Sequence, residues 1–475
     1  MNLDVFEVSA RHPDALALVT ADTRLTFAQL ASEVRLRGAS LAARGLLSPA
    51  NAPIALIARP GLSGLLALYT LWSYGITVFP LPPRLPMAEQ KAWAARAKAR
   101  ALLDPRELSS ESSLAPAPAP TVAPASSAPF AIVSTSGSSG TPKLIELSRA
   151  AFLAAASASA KNLPLTAQDR WLLCLPLSHI GGLSILTRCL LSASAVVAFD
   201  PGASGLLAQV PALAACLSRE RISVVSLVPT LLDALLSLVP RWEPSPALRA
   251  VLLGGAATSP QLLVRAKERG VPLLTTYGLT EACSQVTTTP FPRSPVVHAG
   301  LVGSGRALHG IELKIDVDQR ICVRGPSLCS RLLDGELPID EQGWLRTEDR
   351  GYLNADGELF VLGRASELIV TGGENVDPLR VEAALLSAPG VSAAAVFGIP
   401  DTRFGERVAC ALVMNPGCDL VAVRAALQRT LAPSELPRLY ARLEGLPLLE
   451  NGKLDRKQVP AAAEGALEPW PDASR

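Results

Sequence analysis

The residues Ser134, Thr135, Ser136, Gly137, Ser138, Ser139, Gly140, Thr141 and Lys143 stand almost uninterrupted after the apolar run 130–133. Glycines let successive backbone N–H groups converge on one point, hydroxyls add donors, and a lysine brings a point charge, which together can hold a polyanion. A nucleotide phosphate suits this composition; a flexible serine-glycine turn is the plainer alternative. A Walker-type loop is excluded, because it needs glycine directly before its lysine and Ser or Thr directly after. Here Pro142 offers no N–H and Leu144 no hydroxyl.

Three further stretches carry chemistry. In Thr275-Thr-Tyr-Gly-Leu-Thr-Glu281, Tyr277 can stack on a purine, Thr280 can bond a phosphate oxygen and Glu281 can hold magnesium, though an ordinary turn reads the same. Asp349 and Arg364 suit a ribose diol, which both accepts and donates hydrogen bonds; the alternative is a surface ion pair. Lys453 stands on a glycine turn near the end of the chain, where a solvated surface lysine is the default.

In this order the four stretches resemble the adenylate-forming superfamily of acyl- and aryl-CoA ligases, amino-acid-activating adenylation domains and luciferases, over about residues 10–460. The resemblance implies an ATP-dependent ligase that makes an acyl-AMP and then a coenzyme A thioester. Residues 134–143 would embrace the β and γ phosphates, Gly254, Gly255 and Ala256 with Tyr277-Gly278 would enclose adenine, and Asp349 with Arg364 would grip ribose. Lys453 would lie across the substrate carboxylate and the α-phosphate, where charge grows in the transition state. Thr280 would act on phosphate oxygen, and Glu281 would place Mg2+ against the departing pyrophosphate. For the thiol to enter, the small domain must turn about a hinge at Ala365-Ser-Glu367, bringing the loop Gly372-Gly-Glu-Asn375 over the site. Many members carry aspartate at the pivot, so Ser366 and Glu367 both remain open.

The stretch 175–188, the run 280–286 and the short N-terminal portion are similar to the branch of this family that joins an aromatic dicarboxylic acid to coenzyme A. Amino-acid-activating members usually have an aspartate near position 179 for the substrate amine; none stands here. One carboxylate of such a substrate is activated and the other needs a partner, for which Ser178, His179, Arg188, Ser284 and Gln285 are the nearby polar groups. Arg188 can fork a carboxylate, or equally face solvent or an internal acid. His179 can gate the acyl pocket or simply pack in the core. A related aryl-acid ligase, or an adenylation enzyme loading a carrier protein, would use the same first-step residues.

Bringing residues this far apart together takes a layered scaffold. At 475 residues and 49% apolar content the chain can build several cores. A net charge of +2 gives no basic field for nucleic acid, so small molecules are the expected partners, with a homodimer left open. Eight isolated cysteines rule against a zinc or disulfide framework, and residues 1–24 are too acidic for a signal peptide, so a cytoplasmic location is expected.

Residues 61–83 are uncharged and nominally long enough to span a bilayer. Gly75 nevertheless ends a helix over about 62–74, and 76–79 read as a strand stopped by Pro80, so no membrane span is expected. Helical and β-rich runs alternate from 27 to 289, predicting an α/β fold of βα-type layered subdomains. An Ala/Pro/Ser linker interrupts this alternation at about 108–129, and a β-rich subdomain follows it at about 300–361 with a hairpin at Asp356-Gly357. These make a large domain of residues 1–362. A hinge at 363–367 leads to a small mobile α+β domain, 368–460, with a helix at 379–386 and a strand at 393–397, and a frayed tail, 461–475.

Overall fold

The computed structural model describes residues 3–47, 52–108, 114–121, 125–135, 142–202, 204–449 and 452–470. Its architecture is mixed α/β, a large N-terminal lobe followed by a small C-terminal one. The helix Leu62–Ser73 is apolar on every side and buried from Gly64 to Ser73, and Gly75 (φ +70°) turns the chain away from it. The next strand differs from expectation: it is Val78–Leu81 and runs through Pro80. On one flank Pro80 stands opposite Leu56, while on the other the registered pairing is confined to Val78 and Ala131. The missing proline N–H thus falls where that flank asks for no ladder bond.

Two sheets form the body of the large lobe. One runs through Arg331–Leu332, Lys143–Ser148, Pro129–Thr135, Val78–Leu81, Ile54–Ile57 and Ala101–Leu103. The other has nine strands, six of which form a continuous parallel block in the order Leu273–Leu279, Ala250–Gly254, Val224–Leu227, Arg170–Leu173, Ala195–Ala198 and Leu16–Val19. Buried β-branched and leucine runs such as residues 224–227 read as the continuous apolar pattern that a covered parallel sheet requires.

Between the sheets Trp72 stacks on Phe130 (4.6 Å, 15°), which meets Phe152 at 5.0 Å. Each such fully buried ring contributes roughly 1.5–3 kcal/mol. Arg149 threads this core, donating to the carbonyls of Leu3 (2.8 Å) and Trp72 (2.6 Å) and so fastening the N-terminus.

The described part of the Ala/Pro/Ser-rich stretch is anchored rather than free. Ala117 is buried, its N–H donates to Arg35 O (3.0 Å), and its carbonyl accepts from Tyr74 Oη (3.3 Å). The β-rich subdomain is a four-stranded antiparallel sheet ending in the hairpin Leu345–Leu353 with Leu359–Arg364, turned through Gly357 (φ +75°).

The small lobe folds the helices Pro378–Leu386 and Leu420–Gln428 onto a sheet centred on Gly405–Met414, paired along its length with Val391–Asp401. The expected frayed tail is corrected over 461–470. The helix Val459–Ala463 leads to the strand Leu467–Pro469, antiparallel to Leu439–Arg442, and Trp470 packs edge-on against Tyr440 at 5.3 Å. One buried tryptophan at the end of an Ala- and Glu-rich segment supplies apolar contact that average composition conceals. Residues 471–475 lie outside the described chain. Among the described residues no helix is long and apolar enough to cross a membrane, and all eight cysteines are free thiols.

Candidate active site

Four neighbouring parallel strands end in the residues that matter. Within the last residues of Leu273–Leu279, and past Ala250–Gly254, Val224–Leu227 and Arg170–Leu173, the chain presents, in spatial order, Tyr277, Gly255, Thr230 and His179. The crevice outside the carboxyl ends of parallel strands is where α/β sheets bind ligands.

Lys453 reaches this crevice from the small lobe. Its segment is a turn in which Gly452 (φ +78°) donates to Leu449 O (2.9 Å) and Leu449 donates to Lys453 O (2.7 Å). A Cβ on Gly255 (φ +83°) would stand 2.6 Å from Lys453 Cε and 3.1 Å from Nζ, so only glycine lets the amine lie there. Loss of water holds the Lys453 pKa below the usual lysine value, with Arg364 adding repulsion and Asp349 opposing it. His179 shares the space: burial, then the Lys453 charge, push its imidazole down to about 4, leaving it neutral near pH 7.

The polar wall beside the amine is continuous. Tyr277 Oη donates to Asp349 Oδ2 at 2.7 Å, and Arg364 Nε lies 3.6 Å from Asp349 Oδ1, its neighbour across the antiparallel pair. Glu281, in the short turn Thr280–Ala282, has its pKa raised by burial and by Asp349 and pulled back by Lys143 and Arg364. One electrostatic field therefore joins Lys143, Glu281, Asp349, Arg364 and Lys453.

Ser134 and Thr135 pair with Leu144 and Lys143 across an antiparallel hairpin. The expected phosphate-binding Ser136, Gly137, Ser138, Ser139, Gly140 and Thr141 lie between these ends, outside the described residues. Gly254 packs closely under Thr276, and Ala256 and Gly278 are exposed along the same rim.

The helix Ile180–Ser192 carries a second group of polar side chains. Its start presses onto residues 175–176, where a Cβ on Gly182 would run into Pro176 O. Arg188 is only 4% exposed, lies 5.5 Å above the Trp171 ring and donates to Ser284 Oγ at 3.4 Å, while its Nε has no partner. Burial lowers it to about 10, so it stays charged at neutral pH, and the titratable groups that act on it among the described residues are the Cys283 and Cys189 thiols, not a carboxylate. Ser178 Oγ is likewise buried without a partner. Cys283 (φ +55°) and Ser284 (φ +93°) hold consecutive left-handed conformations that non-glycine residues avoid, which is strain stored where a side chain is being aimed.

Gln285 departs from its expected role as a substrate group. Ser159 donates to its Oε1 (2.9 Å) and its Nε2 donates to Thr288 Oγ1 (2.9 Å), so its amide is consumed inside the fold. Thr230, whose hydroxyl donates to Gly452 O at 2.5 Å, and Trp171 escaped the sequence reading because neither sits in a recognisable motif.

For magnesium the residues present offer the Glu281 carboxylate and the Thr280 hydroxyl, both hard oxygen donors. Among the described residues no group of three or more His, Cys, Asp or Glu could hold a metal. This fits an ion bound through one carboxylate, phosphate oxygens and water, and does not fit a protein-only cage.

A parallel sheet whose polar loops are closed by a lysine from a separate lobe is the arrangement of an adenylate-forming enzyme. The AMP-binding enzyme family matches residues 5–333 and the AMP-binding enzyme C-terminal domain matches 380–453, and the chain belongs to this family. It is 32% identical over 478 residues to the 2-succinylbenzoate–CoA ligase of Bacillus pumilus, covering 94% of this chain and 95% of that one. With the enzyme of that name from Bacillus subtilis it shares 35% identity over 347 residues, 70% of this chain and 69% of the other. Solved structures of the Bacillus subtilis o-succinylbenzoate CoA synthetase also resemble it. The complex with the acyl-adenylate intermediate OSB-AMP has a TM-score of 0.80 at 27% identity, covering 96% of this chain and 97% of that one. The complex with ATP and magnesium ion has 0.82 at 27% identity, with 96% and 98% covered.

Proposed function

We propose that this protein is an ATP-dependent acid–thiol ligase that converts o-succinylbenzoate to its acyl-adenylate and then to the coenzyme A thioester. A substrate carboxylate oxygen attacks the α-phosphorus, the bond to pyrophosphate breaks, and Lys453 lies where it offsets the charge gathered between carboxylate and phosphate. Asp349, with Tyr277 behind it, receives the ribose, and Lys143 faces the outer phosphates. Mg2+ held at Glu281 would supply charge neutralisation for pyrophosphate. In the second step the coenzyme A sulfur attacks the acyl carbon, a C–S bond forms and AMP leaves.

The observation that carries the choice of acid is Arg188. A desolvated guanidinium that keeps its charge without an acidic partner is costly unless the ligand brings the anion. Counted along the helix, Arg188 stands about 13 Å beyond His179. An acid with its activated carboxylate at Lys453 would extend its second one towards Arg188.

A thioester assay over aromatic mono- and dicarboxylic acids tests this. Preference for o-succinylbenzoate by tenfold or more in kcat/KM, about 1.4 kcal/mol, supports the reading. An equal preference for a monocarboxylic aryl acid, or transfer to a carrier protein in place of coenzyme A, overturns it.

A further inference from the structure

The turn that carries Lys453 is held from two sides, and the two holds differ in kind. On the side of its own lobe, Arg456 is forked by Glu382 (2.8 and 2.7 Å) and faces Glu367 of the hinge at 3.4 Å. Glu382 is buried and also caps Val396 N (2.8 Å), so this knot belongs to the small lobe and travels with it. On the other side, the Thr230 hydroxyl of the large lobe donates 2.5 Å to Gly452 O, the carbonyl directly before Lys453. Val228 supports the same spot, because a Cβ on Gly452 would stand 3.1 Å from Val228 Cγ2 and 3.5 Å from Thr230 Oγ1.

Thr230 sits in the first turn of the helix Pro229–Leu238, whose proline start is separated from the strand Val224–Leu227 by the single residue Val228. Its hydroxyl is thus fixed to the sheet that also carries Gly255. Strand end, hydroxyl and glycine form a three-point seat that fixes the height and direction of the incoming amine.

We propose that Thr230 is a positioning residue for the adenylation step, docking the Gly452–Lys453 turn in the state that makes acyl-AMP and releasing it when the small lobe turns for thioester formation. This deepens the reading of Lys453 given above and rests on it. The hydroxyl touches neither nucleotide nor acid in that reading; it acts through the lysine, so its loss affects one half-reaction only.

The test compares Thr230→Val, which keeps the shape and removes the donor, with Thr230→Ser, which restores it, and with Lys453→Ala in parallel. For Thr230→Val we expect adenylation, read by pyrophosphate exchange, to fall about fivefold in kcat, the worth of one hydrogen bond, with ATP KM held within about twofold. Conversion of supplied acyl-adenylate to thioester should be unchanged or faster, the melting temperature should hold, and Thr230→Ser should recover adenylation. Unchanged adenylation in Thr230→Val, or a parallel fall of both half-reactions with the melting temperature, overturns the proposal. If Lys453→Ala also leaves adenylation intact, the reading of the lysine itself is what fails. If only Lys453→Ala abolishes it, the seat at Thr230 alone is wrong.

Discussion

Lys453 and Gly255 touch across the two lobes, the lysine Cε lying 2.6 Å from where a Cβ on Gly255 would be. The glycine is both a backbone necessity, at φ +83°, and the floor under the Lys453 side chain. Gly255→Ala should therefore displace Lys453 and lower adenylation by about a hundredfold, as displacements on the order of 1 Å do. Stopped-flow adenylation beside thioester formation from supplied acyl-adenylate checks this; equal losses in both would instead mean general damage to the loop.

Tyr277 donates to Asp349, so each holds the other on the nucleotide wall. Tyr277→Phe keeps the ring and frees the carboxylate, which should raise ATP KM about fivefold with kcat little changed, the scale of one lost hydrogen bond. Steady-state kinetics in ATP measure it. An unchanged KM would mean that Asp349 is oriented by Arg364 alone.

Arg188→Met removes the buried guanidinium proposed to meet the second carboxylate. Because truncating one partner of a buried pair leaves the other unpaired, kcat/KM for o-succinylbenzoate should fall at least about a hundredfold. A monocarboxylic aryl acid should be spared. Arg188→Lys should recover part of the loss, since it keeps the charge without the fork.

The pH dependence has two arms. Lys453 has its pKa lowered by burial and by Arg364, so its charge is lost at a pH below the ordinary lysine value. The adenylation rate should fall on that alkaline side while thioester formation from supplied acyl-adenylate does not follow. On the acid side, His179 titrates near 4 when folded against 6.5 for an ordinary histidine. Between these values the unfolded chain binds more protons, so stability rises with pH and is lost as pH falls from 6.5 towards 4. Thermal melts of His179→Asn should lose this part of the slope.

Much of the site was legible because glycine, proline and charge leave strong local marks. The stretch at residue 275, the Asp349 and Arg364 positions and the Lys453 turn all come together in one cluster of neighbouring side chains. The fold was legible where periodicity is long, as in Leu62–Ser73 and Pro378–Leu386. Local pattern failed where the outcome depends on a distant partner. Pro80 sits inside a strand because of how the neighbouring strand pairs, Trp470 anchors a segment whose composition reads as tail, and Gln285 turns inward to Ser159. Thr230 is an ordinary helix-start threonine until the other lobe brings Gly452 to it.

The central claim is that the amine of Lys453 serves the first half-reaction alone, and half-reaction kinetics of Lys453→Ala test it most directly. The account predicts that acyl-adenylate formation falls by at least about a hundredfold, with ATP affinity little altered, while thioester formation from supplied acyl-adenylate proceeds at the parent rate. Equal loss of both steps, or adenylation at the parent rate, would contradict it.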